Sequence, residues 1–113
     1  MLFVGRDLNA TARLRSAAES LGWELVISSP ESYPRVIADL APQVVVVDLD
    51  EVGVEGISAM HPPPHAAEVI GFYSHVRDEL HQAASAKGWA VFPRGRFWRE
   101  SHAILEEHGP TVD

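Results

Sequence analysis

The sequence predicts an α/β domain with an open, doubly wound, five-stranded parallel sheet and helices on both faces. Short apolar runs alternate with segments of helical spacing, which is the order of a parallel sheet with helical crossovers. The run Val44–Val47 is continuous and β-branched, as in a strand that is covered on both faces. At 113 residues, the chain is too short for a barrel of eight strand–helix units.

Five apolar runs are predicted as strands, because each is too short for a buried helix and is bounded by polar or turn residues. They are residues 1–4, 25–27, 44–47, 69–72 and 89–92.

The first helix is predicted between strands one and two, where apolar residues recur at helical spacing. Asn9 is its candidate cap, and Gly22 stands where helices commonly end. The second helix is predicted from a cap at Ser29, with Pro30 in the first helical position, to a stop at Pro42.

The third helix is predicted at residues 50–60 and is ended by the prolines at 62–64. The fourth helix begins with Ser74 or His75 as its cap and closes near Gly88.

The last helix is predicted at residues 97–107. We therefore expect one domain at residues 1–107, followed by a flexible tail at 108–113. Hydrophobic residues make up 46% of the chain and charged residues 22%, which is the balance of a chain that folds alone.

Composition also excludes several classes of function. The chain has no cysteine, so it has neither disulfides nor a cysteine nucleophile, which fits a cytoplasmic location. The first residues lack the features of a secretory signal, and no apolar run approaches the roughly 18 residues of a membrane span. A formal net charge of -7 disfavours direct contact with nucleic acid.

The segment around strand three reads PQVVVVDLDEVGVEG from residue 42 to residue 56. It resembles the receiver domains of response regulators, in which a buried strand ends in a phosphate-accepting aspartate and a glycine follows eight residues later. The resemblance implies that Asp48 is the phosphoacceptor and that Gly56 is this glycine. It also implies a flavodoxin-like (CheY-like) sheet with strand order 2-1-3-4-5. The alternative from the residues alone is that Asp48 only caps the third helix, and the register of the whole stretch favours the phosphoacceptor position.

Receivers place two adjacent acids after strand one to hold magnesium, and this chain has Arg6 and Asp7 there. The resemblance implies that Asp7, Asp48 and the backbone carbonyl of Asp50 hold Mg²⁺, with no other cofactor. Arg6 puts a cation where an acid is expected, which is typical of a divergent or pseudo-receiver. Two orientations stay open: the Arg6 guanidinium enters the pocket in place of the metal, or it points to solvent.

Receivers also end strand four in a hydroxyl residue and strand five in a lysine that pairs with the phosphoryl group. Strict counting puts Tyr73 at the hydroxyl position, and a shift by one residue puts Ser74 there. Arg94 replaces the lysine and retains its positive charge. The resemblance therefore implies that Asp48, Ser74 and Arg94 are the residues of the phosphoryl chemistry.

The resemblance implies a stand-alone signalling domain of a two-component system, with no enzyme activity beyond autophosphorylation and dephosphorylation at Asp48. It regulates a protein partner by docking through its strand-four to helix-five face, and Arg6 favours a mode without phosphorylation. A phosphorylatable regulator that uses Asp48 and Mg²⁺ is the alternative. The expected partner is a histidine kinase, a target protein or a second copy of the chain, and neither nucleic acid nor a membrane. Tyr73 and Trp98 are candidate exposed anchors on this face, whereas Phe92 and Phe97 are expected in the core.

A flavodoxin-like domain for a small ligand is the alternative of another class. Its phosphate loop would need Ser, Thr and Gly where this chain has Arg6, Asp7 and Leu8. A metal site at His61 and His65 is not expected, because the intervening prolines prevent a helix that would align the two rings. A hydrolase is not expected either, because no Gly-x-Ser-x-Gly motif is present.

Overall fold

The computed structural model describes residues 1–63, 67–74 and 77–109. The strands within these ranges are β1 (Leu2–Val4), β2 (Val26–Ser28), β3 (Val44–Asp48), β4 (Glu68–Tyr73) and β5 (Ala90–Pro93). The helices are α1 (Leu8–Leu21), α2 (Tyr33–Asp39), α3 (Leu49–Ala59), α4 (Asp78–Ala86), α5 (Arg94–Arg99) and α6 (Ser101–His108). None of these helices has the length and apolar character needed to cross a membrane.

The strands form one parallel sheet in the order β2-β1-β3-β4-β5, which confirms the predicted fold class. The register aligns the carboxyl ends of the strands: Val4 pairs with Val47 of β3, and Asp48 pairs with Phe72 of β4. Asp48 therefore lies at the edge of the sheet where ligands bind in folds of this class.

The core lies on both faces of the sheet. Val45 and Val47 belong to one apolar cluster, packed with residues of α2, α3 and α4. Val44 and Val46 belong to the other, packed with residues of α1, α5 and α6. The valine run has no polar alternation because each of its faces is covered by helices.

The starts of α1 and α2 differ from the prediction. Asp7, rather than Asn9, caps α1, and its carboxylate accepts the Asn9 backbone N–H at 2.9 Å. Gly22 ends the helix as predicted, with a left-handed φ of 73°. Ser29 accepts the Ser32 backbone N–H in a turn of its own, so α2 begins about one turn later than expected.

The third and fourth helices also differ in detail. The α3 helix matches its predicted range within one residue but is interrupted at Gly53, where φ is 76° and ψ is 167°. The α4 helix begins at Asp78, so the prediction that Ser74 caps it is wrong. His75, the other predicted cap, lies outside the described residues.

The predicted final helix, residues 97–107, is in fact two helices. They separate at Glu100, whose backbone is not helical, and α5 begins at Arg94, immediately after β5. Within the predicted tail at 108–113, His108 ends α6, and residues 110–113 lie outside the described part of the chain.

Candidate functional site

Asp48 ends β3 and is 3% exposed. The backbone of β1 passes close to it at Gly5, where an added Cβ would stand 3.2 Å from the Asp48 Cβ and 2.6 Å from Phe3. Burial raises the pKa of Asp48 above its ordinary value, although the Arg94 guanidinium and the Glu51 backbone N–H act in the opposite direction. The site thus holds a buried carboxyl group whose charged form is favoured only by a cation or N–H donor beside it.

Arg94, the first residue of α5, supplies that cation. One terminal nitrogen of its guanidinium donates to Asp48 Oδ1 at 2.9 Å and to Asp50 Oδ2 at 3.0 Å. Its other terminal nitrogen lies 3.8 Å from Asp7 Oδ2. The guanidinium also stacks over the Phe72 ring, 4.7 Å from the ring centroid. A single guanidinium therefore faces three carboxylates at the ends of β1 and β3 and lies against a ring from β4.

Asp50 connects this cluster to the end of β4. The Ser74 backbone N–H donates to both of its carboxylate oxygens, at 2.9 and 3.2 Å. Ser74 therefore borders the site through its backbone. The hydroxyl of Tyr73, the other candidate, lies 2.9 Å from His81 Nδ1, and the Tyr73 ring belongs to the cluster on the α2–α4 face. Tyr73 does not reach the carboxylates.

Arg6 has the second of its two predicted orientations. Its guanidinium pairs with Glu31, before α2, and the side chain is 54% exposed. Its backbone N–H donates to the Glu51 carboxylate at 2.6 Å. The cation among the acids is thus contributed by Arg94 and not by Arg6.

Magnesium was predicted at Asp7, Asp48 and the backbone carbonyl of Asp50. In the structure, one Asp7 oxygen caps α1, one Asp48 oxygen accepts from Arg94, and the Asp50 carboxylate, rather than its backbone carbonyl, faces the same guanidinium. Over the described residues, no group of three or more acidic or histidine side chains is arranged to hold a metal ion. The Arg94 guanidinium lies among these carboxylates, so magnesium at Asp7, Asp48 and Asp50 stays a prediction that requires Arg94 to move. His65 of the other candidate metal pair lies outside the described ranges.

The aromatic predictions are partly correct. Phe97 is fully buried, as expected, and Phe92 packs against the same cluster while staying partly exposed. Trp98 is also partly exposed. The prediction of an exposed Tyr73 is wrong, because its side chain is only 6% exposed.

Sequence reasoning missed the carboxylate of Asp50 and the ring of Phe72. Acidic residues 50 and 51 lie in the first turn of α3, which is a common preference at a helix start and so was no specific signal. Phe72 pairs in register with Asp48, a relation that becomes visible only when β3 and β4 are aligned.

Comparison of the chain with protein-family models, curated proteins and solved structures gives no match. The geometry defines an α/β domain of flavodoxin-like arrangement, with an acidic site at the carboxyl edge of its sheet that pairs with an arginine of the same chain.

Proposed function

We propose that this chain is a receiver-like signalling domain that regulates a protein partner by docking, independently of phosphorylation at Asp48. One observation carries the proposal: the Arg94 guanidinium bonds Asp48 and Asp50 together. A phosphoacceptor needs an open oxygen and a cation that also has positions for phosphoryl oxygens. Here the nearest cation directs its donors to the chain's own acids.

The receiver-like part of the proposal rests on position. Asp48 follows a buried strand in the middle of a sheet with order 2-1-3-4-5, as the resemblance implied. Many unrelated functions use sheets of this kind, so the fold alone is weak support. The combination of Asp48, Asp7 and a cation after β5 is more specific.

The proposed docking face consists of α4, β5 and α5. The edge strand β5 is half-buried along its whole length, so part of its surface is available to a partner. The exposed side chains beside it carry both signs of charge, with Asp78 and Glu79 on α4 and Arg96 on α5. We propose a protein partner there, with a kinase, a target protein or a second copy as the classes to separate.

Phosphorylation independence is tested by adding magnesium and beryllium fluoride while recording amide NMR spectra of the full chain. We expect the amides of Asp7, Asp48, Ser74 and Arg94 to stay unchanged. We also expect no phosphoryl adduct by intact-mass measurement after incubation with acetyl phosphate. Saturable changes at those four amides, together with an adduct that Asp48→Asn removes, would contradict the proposal.

The docking face is tested with a photo-crosslinking amino acid at two exposed positions in the cell. Gln82 is an exposed residue of α4, within the proposed face, and Arg15 on α1 is the matched position elsewhere. We expect a defined protein adduct from position 82 and none from position 15. Equal adducts from both positions, or none from position 82, would remove the support for this face. Sedimentation of the uncrosslinked chain identifies a second copy.

A phosphorylatable regulator is the second candidate. The observation in its favour is that carboxylates of Asp7, Asp48 and Asp50 approach one cation at the same edge of the sheet. A movement of Arg94 would leave three acids for a divalent ion. The beryllium fluoride experiment separates this candidate from the first.

A further inference from the structure

A groove between α1 and the α5–α6 segment is lined mainly by polar side chains. Its cavity has a volume of about 350 Å³ and shares no lining residue with the Asp48 site. The polar and aromatic side chains that line it are Arg13, Ser16, Ser20, Trp98, Ser101 and His102. The function proposed above uses none of them.

The contribution of α1 is a stripe on one side of the helix. Arg13, Ser16 and Ser20 are separated by three and four residues, which places them on a common face. The buried residues of the helix, Ala10, Leu14 and Ala18, belong to its core-facing side. The stripe therefore makes no contribution to the core and is available for another role.

Arg13 is held over the indole of Trp98, with its guanidinium carbon 5.5 Å from the ring centroid. Within the described ranges it takes part in no ion pair, although acidic residues outnumber basic ones by sixteen to nine. The contact with the ring uses no carboxylate partner, so the N–H groups of Arg13 are available to an external anion.

His102 is oriented from both sides of its ring. Its Nδ1 lies 3.3 Å from Glu106 Oε1, and its Nε2 lies 3.2 Å from Ser20 Oγ. The contact with Glu106 favours a proton on Nδ1, so Nε2 accepts from the Ser20 hydroxyl and holds Ser20 at the groove. A guanidinium, serine hydroxyls and an imidazole thus converge from two sides on one cavity.

We propose that this groove binds the phosphate group of a small organic phosphate, with Arg13 as the main donor and Trp98 against the organic part. A phosphate accepts two parallel hydrogen bonds from a guanidinium and has further oxygens for hydroxyl donors such as Ser16 and Ser101. The cavity volume is within the roughly 300–1,000 Å³ of small-molecule sites. The proposal is independent of the docking function.

The test is an amide NMR titration of the full chain with phenyl phosphate, with phenol and with sodium chloride at matched ionic strength. We expect saturable shifts at Arg13, Ser16, Ser20 and His102 with phenyl phosphate alone. Arg13→Gln is expected to weaken binding by about tenfold or more, because a charged pair of hydrogen bonds is lost. Ser20→Ala is expected to weaken it less.

Arg15→Gln is the matched control, since Arg15 lies on α1 two residues from Arg13 and points away from the stripe. It should bind phenyl phosphate as the unaltered chain does. The proposal is overturned if phenyl phosphate gives no saturable shift, if phenol or chloride gives the same shifts, or if Arg13→Gln and Arg15→Gln weaken binding equally.

Discussion

Arg94 and Arg13 are both stacked on an aromatic ring, yet their surroundings are opposite. The Arg94 guanidinium lies 4.7 Å from the centroid of Phe72 and bonds two carboxylates, with a third nearby. The Arg13 guanidinium lies 5.5 Å from the centroid of Trp98 and, within the described residues, has no carboxylate partner. The guanidinium of Arg94 is thus closed, in the sense that carboxylates of its own chain occupy it. The guanidinium of Arg13 is open, in the sense that it has no such partner within the described residues.

The different pairing of Arg94 and Arg13 shows that the residue type alone does not indicate whether an arginine can bind an external anion. Ligands of doubly wound sheets usually bind at the carboxyl edge, where Arg94 lies, but there the charges are already paired. Arg13 lies on a helix surface and keeps its donors available. The state of pairing, rather than position in the fold, indicates which arginine can meet an external anion.

The largest expected effect is that of Arg94→Ala on stability. It leaves Asp48 buried without its cation, and we expect the free energy of unfolding to fall by about 2–4 kcal/mol, since loss of one partner of a buried pair is costly. Urea unfolding at neutral pH measures it. Arg96→Ala removes an exposed pair with Glu100 and should cost no more than about 0.5 kcal/mol. Equal losses for the two variants would show that the pairing of Arg94 with Asp48 does not stabilise the fold more than an exposed ion pair does.

Gly5→Ala should have the next largest effect, because it tests how closely the site is packed. The new Cβ would stand 2.6 Å from the ring of buried Phe3 and 3.2 Å from the Asp48 Cβ. We expect a loss of about 1–3 kcal/mol in the free energy of unfolding. Gly95→Ala, in α5 with nothing within 4 Å of its new Cβ, should instead raise it by about 0.5–1 kcal/mol. A neutral Gly5→Ala would mean that the site has room.

The fold could be predicted from sequence because its signals are local. The valine run at residues 44–47 predicted a buried strand, and Gly22 predicted the end of the first helix. Both predictions were confirmed. The helix starts were missed where side chains compete. Ser29 forms a turn with Ser32 in place of a helix cap, and the break at Glu100 has no glycine or proline to announce it.

The site was harder to predict because it depends on distances between strands. Arg6 and Arg94 are both arginines that follow strands, and only their placement in three dimensions shows which one meets Asp48. Tyr73 was a different kind of error. It has the same parity as Val69 on β4, so strict alternation would have placed both on the α2–α4 face, away from the carboxylates.

The pH dependence of stability gives a further test of the site formed by Arg94 and Asp48. Burial raises the pKa of Asp48 in the folded state despite Arg94, so the folded chain binds this proton more tightly than the unfolded chain. The contribution of Asp48 to stability is therefore greatest below its ordinary pKa of 3.8 and declines as pH rises from there to the raised folded value.

Asp48→Asn removes this titration. We expect the free energy of unfolding of the unaltered chain, relative to that of Asp48→Asn, to fall as pH rises above 3.8. Urea unfolding of both proteins at several pH values measures the difference, and contributions from the other acids cancel. A difference that rises with pH would mean that Arg94 outweighs burial and lowers the pKa of Asp48.

Arg13→Gln should have the smallest effect on stability. Its contact with Trp98 is exposed and should contribute no more than about 1 kcal/mol, so thermal unfolding should change little. The same variant is expected to lose most of its affinity for phenyl phosphate. A site for an external ligand predicts this separation, because donors that await a ligand do not stabilise the empty chain. If Arg13→Gln destabilised the protein as much as Arg94→Ala, both arginines would be structural and the contrast between a closed and an open cation would fail.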